Sequence, residues 1–316
     1  MKAGTVLVAF GGNALLRRGE DATQRQQIHR AEELARLLAR VVRRGSRLLL
    51  VHGNGPQVGD ALIRVEAALH VAPPLSLAFC VAETQGSIGF LLETALANAL
   101  RGRGPGSARP ATVMTRVVVR ASDPRLRAPS KPIGPWYPRY RAEDLQRRLG
   151  WKMVEERGLG FRRLVPSPRP IEVLGLEAIR GLLRTERVVI AAGGGGVPVI
   201  RTPRGLRAVE AVIDKDRTAS LLGRELGVGL FAIITDVDGV YRDWGTPRAK
   251  RIAKLPVKEA RNGLASGEFP RGSMGPKVEA AADFAEATGR PVLITDAKHF
   301  AAGVAGAAGT LVVSRG

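Results

Sequence analysis

Short apolar runs that end in glycine and restart as amphipathic helices recur along this chain, and that alternation restricts it to very few architectures. "TVLVAF" (5–10) stops at Gly11-Gly12-Asn13, and "RLLLV" (47–51) is closed by "HGNGPQVG" (52–59). Later, "RVVIAA" (187–192) runs into "GGGGVPVI", "LFAIIT" (230–235) into "DVDGVY", and "PVLIT" (291–295) and "GTLVV" (309–313) follow. Between such runs the periodicity turns helical. From Gln24 to Arg44, Ile28, Ala31, Leu34, Ala35, Leu38 and Val41 share one face, and Gly45 ends the helix as a C-cap. Strands alternating with helices predict an α/β fold: a three-layer αβα sandwich with a mostly parallel central sheet. In such sheets ligands lie beyond the carboxyl ends of the strands, which is where the glycine loops fall.

The stretch from about 117 to 170 has a different texture. "RASDPRLRAPSKPIGPWYPRYRAEDL" holds five prolines and three of the chain's six Trp and Tyr residues, and "RRLVPSPRP" closes it with three more prolines. This predicts a small inserted lid subdomain on stiff hinges, with Trp136, Tyr137, Tyr140 and Trp151 as its core.

Composition removes several classes of function. Cys80 is the only cysteine, so neither an intrachain disulfide nor a cysteine metal cluster can form. The histidines at 29, 52, 70 and 299 have no metal-ligand spacing. Apolar stretches such as "VGLFAIIT" (228–235) are far too short to span a bilayer, and no export signal is read at the N-terminus. The expectation is a cytoplasmic protein with no membrane partner. A net charge of +20 and a pI near 11.3 raise nucleic acid as a partner. The basic residues are spread over the whole length, however, and aromatics make up only 4%. No nucleic-acid role is expected; a general positive field suits small anions equally well.

The chain uses 40 arginines and only nine lysines. A lysine in a Gly- or Pro-rich segment therefore invites a reason, because its compact ammonium on a flexible stem differs from arginine's planar fork. Lys277 follows Pro276, read as the first helical position of "GSMGPKVEAAADFAEATG", and so lies in a first turn where the helix dipole disfavours a cation unless a polyphosphate is bound. Lys215 in "AVIDKDRTASLLGREL" stands beside Asp216, a good N-cap; it is either a solvated charge or an amine aimed by carboxylates. Lys131 in "SKPIGP" lies between Ser130 and Pro132 in the expected lid, where closure could bring it over a ligand. Four consecutive glycines at 193–196 have no packing return unless something approaches closely. Backbone N–H loops plus lysines, without a nucleophile–base dyad, suit phosphoryl transfer, which depends on positioning and charge neutralisation.

Taken in order, "FGGNAL", "HGNGPQVG", "SKPIGPWY", "FRRLVPSP", "AGGGGVPV", "VIDKDRTASLL", "TDVDGVY" and "GSMGPKV" resemble the carbamate kinases of the amino acid kinase family over nearly the whole chain. The resemblance implies reversible phosphoryl transfer between ATP and carbamate, giving ADP and carbamoyl phosphate and usually run toward ATP, with Mg2+. It implies an acceptor lobe at 1–187 carrying the lid, and a nucleotide-binding lobe at 188–316. Gly11, Gly12 and Asn13 are expected to border the moving phosphoryl group, and Gly53 and Asn54, with Lys131, to surround carbamate or its phosphate. Lys215 is expected to partner the moving phosphoryl group, Lys277 the donor phosphates, and Asp216 to orient lysines. Asp236, Tyr241 and Met274 are expected to border the nucleotide. No protein ligand for the metal is implied, and a homodimer is. Ala9-Phe10 stand where many acid-phosphorylating relatives carry a lysine, as the carbamate branch does. Another small-carboxylate kinase of the same fold is the alternative.

Overall fold

A computed structural model of the chain describes residues 4–16, 23–102, 109–270 and 272–315. The apolar runs do become strands. The main sheet has eight, in the order Lys254–Pro256, Thr310–Val313, Val292–Thr295, Leu230–Ile234, Thr5–Phe10, Arg47–His52, Val188–Ala191, Pro110–Val113. Every neighbouring pair is parallel except Val292–Thr295 with Thr310–Val313.

Helices cover both faces, so the central strands are apolar at every position rather than at alternate ones. Within Thr5–Phe10, Leu7 and Ala9 enter one core with the helices Lys215–Leu226 and Met274–Thr288. Val6, Val8 and Phe10 enter the other, with Gln24–Arg43 and Leu77–Leu100. This is the three-layer sandwich. The helix Gln24–Arg43 runs as expected, with Gly45 at φ 94° just beyond the Arg44 cap, but Ile28 is 41% exposed because the buried face begins only at Ala31.

Besides the antiparallel pair Val240–Arg242 with Lys250–Ile252, there are two smaller sheets. Arg116–Val119, Pro170–Val173, Val197–Thr202 and Gly205–Ala208 form one. Lys131–Tyr137, Gly160–Val165 and Lys152–Glu156 form the other, antiparallel throughout, together with the helix Arg139–Leu149. Both ends of the 117–170 segment thus differ from a free insertion: Val117–Val119 belong to the four-stranded sheet. Its small core also differs from expectation. Tyr137 packs with Ala142 and Leu145, flanked by Trp151, Met153 and Phe161. Trp136 and Tyr140 are 38% and 75% exposed. For the tryptophans the reason lies in the arginine content, since guanidinium groups cover aromatic faces that would otherwise need burial, while Tyr140 stays open to solvent. Arg162 lies 5.1 Å over Trp136 and Arg163 4.1 Å over Trp151. Trp136 also donates through Nε1 to Glu156 (2.8 Å).

The small sheet packs on the body through Ile133 and Val165, which join Val58 and Leu62 in one apolar cluster, and through two glycines. Buried Gly59, in the helix Gly55–Ala67, meets the backbone of Gly134, which has φ 76°. A Cβ at Gly59 would collide with main chain, which cannot give way as a side chain can. Gly59→Ala should therefore destabilise the protein by about 1–3 kcal/mol in urea unfolding. Gly181→Ala, on an exposed helical face with open space around it, should be neutral or slightly stabilising. Equal effects from the two substitutions would contradict the close contact.

Candidate active site

The helix Lys215–Leu226 begins at the carboxyl edge of the sheet, and its N-cap is Asp214, whose Oδ1 accepts from the N–H groups of Asp216 (2.9 Å) and Arg217 (3.3 Å). The sequence reading placed Asp216 in that role. The structure puts it two residues past the cap, as the second helical residue, because the buried residues 211–213 lead into the helix at Asp214 without pairing in a sheet. Freed from capping, the Asp216 carboxylate faces two amines. Lys215 Nζ donates to both its oxygens (2.9 and 3.0 Å), and Lys277 Nζ donates to Oδ2 (3.4 Å). The third lysine arrives from the small sheet: Lys131 Nζ donates to Asp214 Oδ2 (3.2 Å) and to the carbonyl of Ile213 (3.2 Å). Lys131 is the first residue of a strand, not a loop residue. Pro276 is the third helical residue of Met274–Thr288 rather than the first, and Lys277 follows it.

Three ammonium groups from three separated segments thus converge on two carboxylates. Their titration reflects the crowding. Burial pushes Asp214 up, but Lys131, then Lys215, Lys277 and Arg217, together hold it well below the ordinary carboxylate range. Burial lowers Lys215 despite Asp216, with Lys277 adding like-charge repulsion. Lys277 is raised, chiefly by Asp216 and against the cost of burial, with Asp214 and Asp236 contributing. Two positive helix starts and three amines make a site whose unmet demand is for negative charge.

The glycine loops adjoin this cluster. A Cβ on Gly53 would lie 2.9 Å from the amide nitrogen of Gly12, 3.1 Å from Lys215 Cδ and 3.3 Å from Gly11 Cα, so Gly11, Gly12, Gly53 and the Lys215 stem share one contact. Gly53 N–H donates to the carbonyl of Phe10 (2.7 Å). Asn13 lies in the short turn of helix Gly12–Ala14, and its side chain falls outside the described residues. Asn54 donates to Thr84 Oγ1 (2.9 Å), and its amide abuts Gly194. The glycine run is used fully: Gly194, Gly195 and Gly196 all have positive φ, against the Asn54 amide, the Ile213 carbonyl and the Val117 side chain respectively. Thr218 Oγ1 donates to the Gly195 carbonyl (2.9 Å), tying the lysine-bearing helix to that loop.

Of the residues expected at a nucleotide, Asp236 is within electrostatic reach of Lys277, and Met274 opens the Lys277 helix and packs on the adjoining core. Tyr241 partners other groups: its hydroxyl donates to Asp238 (2.8 Å) and its ring meets Trp244 edge-on at 5.1 Å. Sequence reasoning missed Asp214, the carboxylate that Lys131 uses. Its signal was present in "IDKD", two carboxylates flanking one lysine. It also missed the support beneath the loops, where Gln85 bonds both the N–H (2.9 Å) and the carbonyl (3.0 Å) of Thr115, and Thr115 Oγ1 accepts from Ala192 N–H (2.9 Å). Nothing local marks those residues.

His52 closes the second strand, 1% exposed, against Gly193. Burial lowers its pKa to about 4, with the Gly53 carbonyl pulling the other way. Between about 4 and 6.5 the unfolded chain holds a proton on this ring and the folded one does not. Stability from this group is complete above pH 6.5 and is lost as pH falls through that window, by up to roughly 3 kcal/mol. Urea unfolding at pH 7 and 4.5 should show the loss, and His52→Asn should flatten it; an unchanged slope in the variant would remove His52 as its source.

The sequence profile of the amino acid kinase family matches residues 4–296. The chain is 40% identical over 314 residues to the carbamate kinase of Thermococcus kodakarensis, covering 98% of each chain. It is 41% identical over 308 residues to that of Halobacterium salinarum, covering 97% of each. The solved structure of carbamate kinase from Giardia lamblia bound to AMP-PNP superposes with a TM-score of 0.90 at 33% identity, covering 99% of both chains.

Proposed function

The chain belongs to the amino acid kinase family, and on that premise we propose that it is a carbamate kinase, transferring a phosphoryl group reversibly between ATP and carbamate. The observation that carries this is the convergence of Lys131, Lys215 and Lys277 on Asp214 and Asp216 beside the Gly12–Gly53 contact. A phosphoryl group in flight spreads negative charge over three equatorial oxygens, and fixed cations around it lower the barrier without covalent chemistry. Carbamate is already an oxyanion, so no general base has to remove a proton.

Each residue then has a task. Gly11, Gly12 and Asn13 border the moving group, the two glycines offering main-chain N–H donors that no side chain covers. Gly53 and Asn54 border the carbamate. Lys215 neutralises the moving group, Lys277 the donor phosphates, and Lys131, carried on the small sheet, covers the acceptor side when that sheet closes as a lid. Asp216 holds two of the amines at a fixed spacing; without a ligand the pairing also keeps them from repelling each other. Asp236, Tyr241 and Met274 border the nucleotide. Mg2+ travels with the nucleotide: the two carboxylates nearest the amines are already paired with ammonium groups, so phosphate oxygens and water are its natural ligands. Carbamoyl phosphate is a reactive mixed anhydride, and the net direction is toward ATP, in the cytoplasm.

The purified protein should form ATP from ADP and carbamoyl phosphate in a coupled assay with Mg2+. Lys131→Ala should lose most of that turnover, by about a hundredfold or more, while ADP binding measured by calorimetry is retained. No ATP above background from the unaltered protein would overturn the assignment.

A second copy of this chain is the proposed partner. Pro110–Val113 is an edge strand of the eight-stranded sheet, and Phe79, Phe90 and Met114, at 62%, 71% and 62% exposure, leave apolar surface on and beside it. Light scattering should give the mass of a homodimer, and Phe90→Glu should shift it toward monomer; a monomeric unaltered protein would end that proposal.

A further inference from the structure

Gln57 sits in the first turn of the helix Gly55–Ala67, inside "HGNGPQVG". It is 8% exposed, and both polar atoms of its amide, Nε2 and Oε1, are buried without a hydrogen-bond partner. A buried carboxamide ordinarily uses its donors and its acceptor, and leaving both ends unmet is costly. Among the described residues Gln57 is the only side chain with two such atoms. Its position gives the reason. A Cβ on Gly12 would lie 2.9 Å from Gln57 Oε1 and 2.8 Å from Pro56 Cδ, and Gly12 is the residue whose N–H meets Gly53 beside the Lys215 stem. The idle amide therefore abuts the glycine pair at the lysine cluster, where a small ligand is required.

Resting on the reading that this site takes carbamate, we propose that Gln57 is the residue that selects carbamate over other small carboxylates and their phosphates. Carbamate is planar, with an NH2 donor and an oxygen acceptor on adjacent arms of one carbon. A primary carboxamide presents the complementary pair, Oε1 to accept from the substrate N–H and Nε2–H to donate to the substrate oxygen. Acetate has a methyl group where the NH2 would be, so Oε1 stays unpaired in its complex. A site built around such a pair discriminates strongly against an analogue that leaves its buried polar atom unmet. Lysines cannot supply this selectivity, because an ammonium only donates and reads charge alone. The amide is thus a specificity group, and the ammonium groups carry the phosphoryl transfer.

The test compares carbamoyl phosphate with acetyl phosphate as phosphoryl donors to ADP, in the unaltered protein and in Gln57→Met and Gln57→Glu. Methionine keeps the length and removes both hydrogen bonds; glutamate is nearly isosteric, removes the donor, and gives a second readout should the methionine variant fold poorly. In Gln57→Met the kcat/KM for carbamoyl phosphate should fall roughly tenfold or more. That for acetyl phosphate should hold within about twofold, so the ratio between donors collapses, with KM for ADP unchanged. In Gln57→Glu the acceptor for the substrate N–H is kept and only the donor to the oxygen shared by both substrates is lost, so here acetyl phosphate should lose more than carbamoyl phosphate. Parallel loss with both donors, as a packing role would give, overturns the proposal, and so does an unchanged ratio. Failure of the unaltered protein to use carbamoyl phosphate would instead defeat the functional reading itself, and this inference with it.

Discussion

Like charges do not gather in a protein interior unless something holds them, and here the holding is done by two carboxylates one residue apart from a shared lysine. Asp214 and Asp216 bracket Lys215 at the start of one helix, and between them they fix amines from the small antiparallel sheet, from that helix and from the helix Met274–Thr288. At about 3 Å and an effective dielectric near 20, each pair is worth several kcal/mol before desolvation is counted. Loss of one carboxylate would leave buried ammonium groups facing each other, the kind of change that costs about 3–5 kcal/mol. The arrangement stores positive charge in a stable form.

The rest of the architecture serves that cluster. Parallel strands deliver their carboxyl ends to one edge, and short glycine loops keep side chains out of the space there. Thr218 joins the lysine-bearing helix to the glycine run, and Gln85 and Thr115 fix that run from below. Glu279 adds a brace: it accepts from Arg169 (2.6 Å) beside the strand Pro170–Val173 and from Arg217 (2.8 Å) on the Lys215 helix, while sitting two residues from Lys277. Of the three lysines, only Lys131 is carried by the small sheet, which packs on the body through Ile133 and Val165 and through the contact of Gly134 with Gly59.

The abundance of arginine has a structural use as well. Guanidinium groups lie over Trp136, Trp151 and Phe161, so a lobe with few large apolar residues keeps its aromatic rings half-covered without a deep core. Lysine, with its more tightly hydrated charge, would cover such faces less well. The separation is clean: arginine furnishes surface and packing, and three of the nine lysines stand where phosphate chemistry would use a compact cation.

The sandwich, the parallel sheet and the loops at its edge were legible in the chain because strand and helix periodicity and glycine placement are local properties. So was the oddity of Lys131, Lys215 and Lys277, which a scarcity of lysine exposes. What the sequence could not decide was partnership. Asp214 rather than Asp216 caps the helix because the buried residues before it deliver the chain there, a matter of packing against distant elements. Trp136 and Tyr140 face outward because arginines from another strand or open solvent meet them. Gln57 reads as any helical glutamine until the fold brings Gly12 against it and leaves its amide buried and idle. Local pattern sets the elements; only long-range contact determines which charges meet and which polar groups remain unanswered.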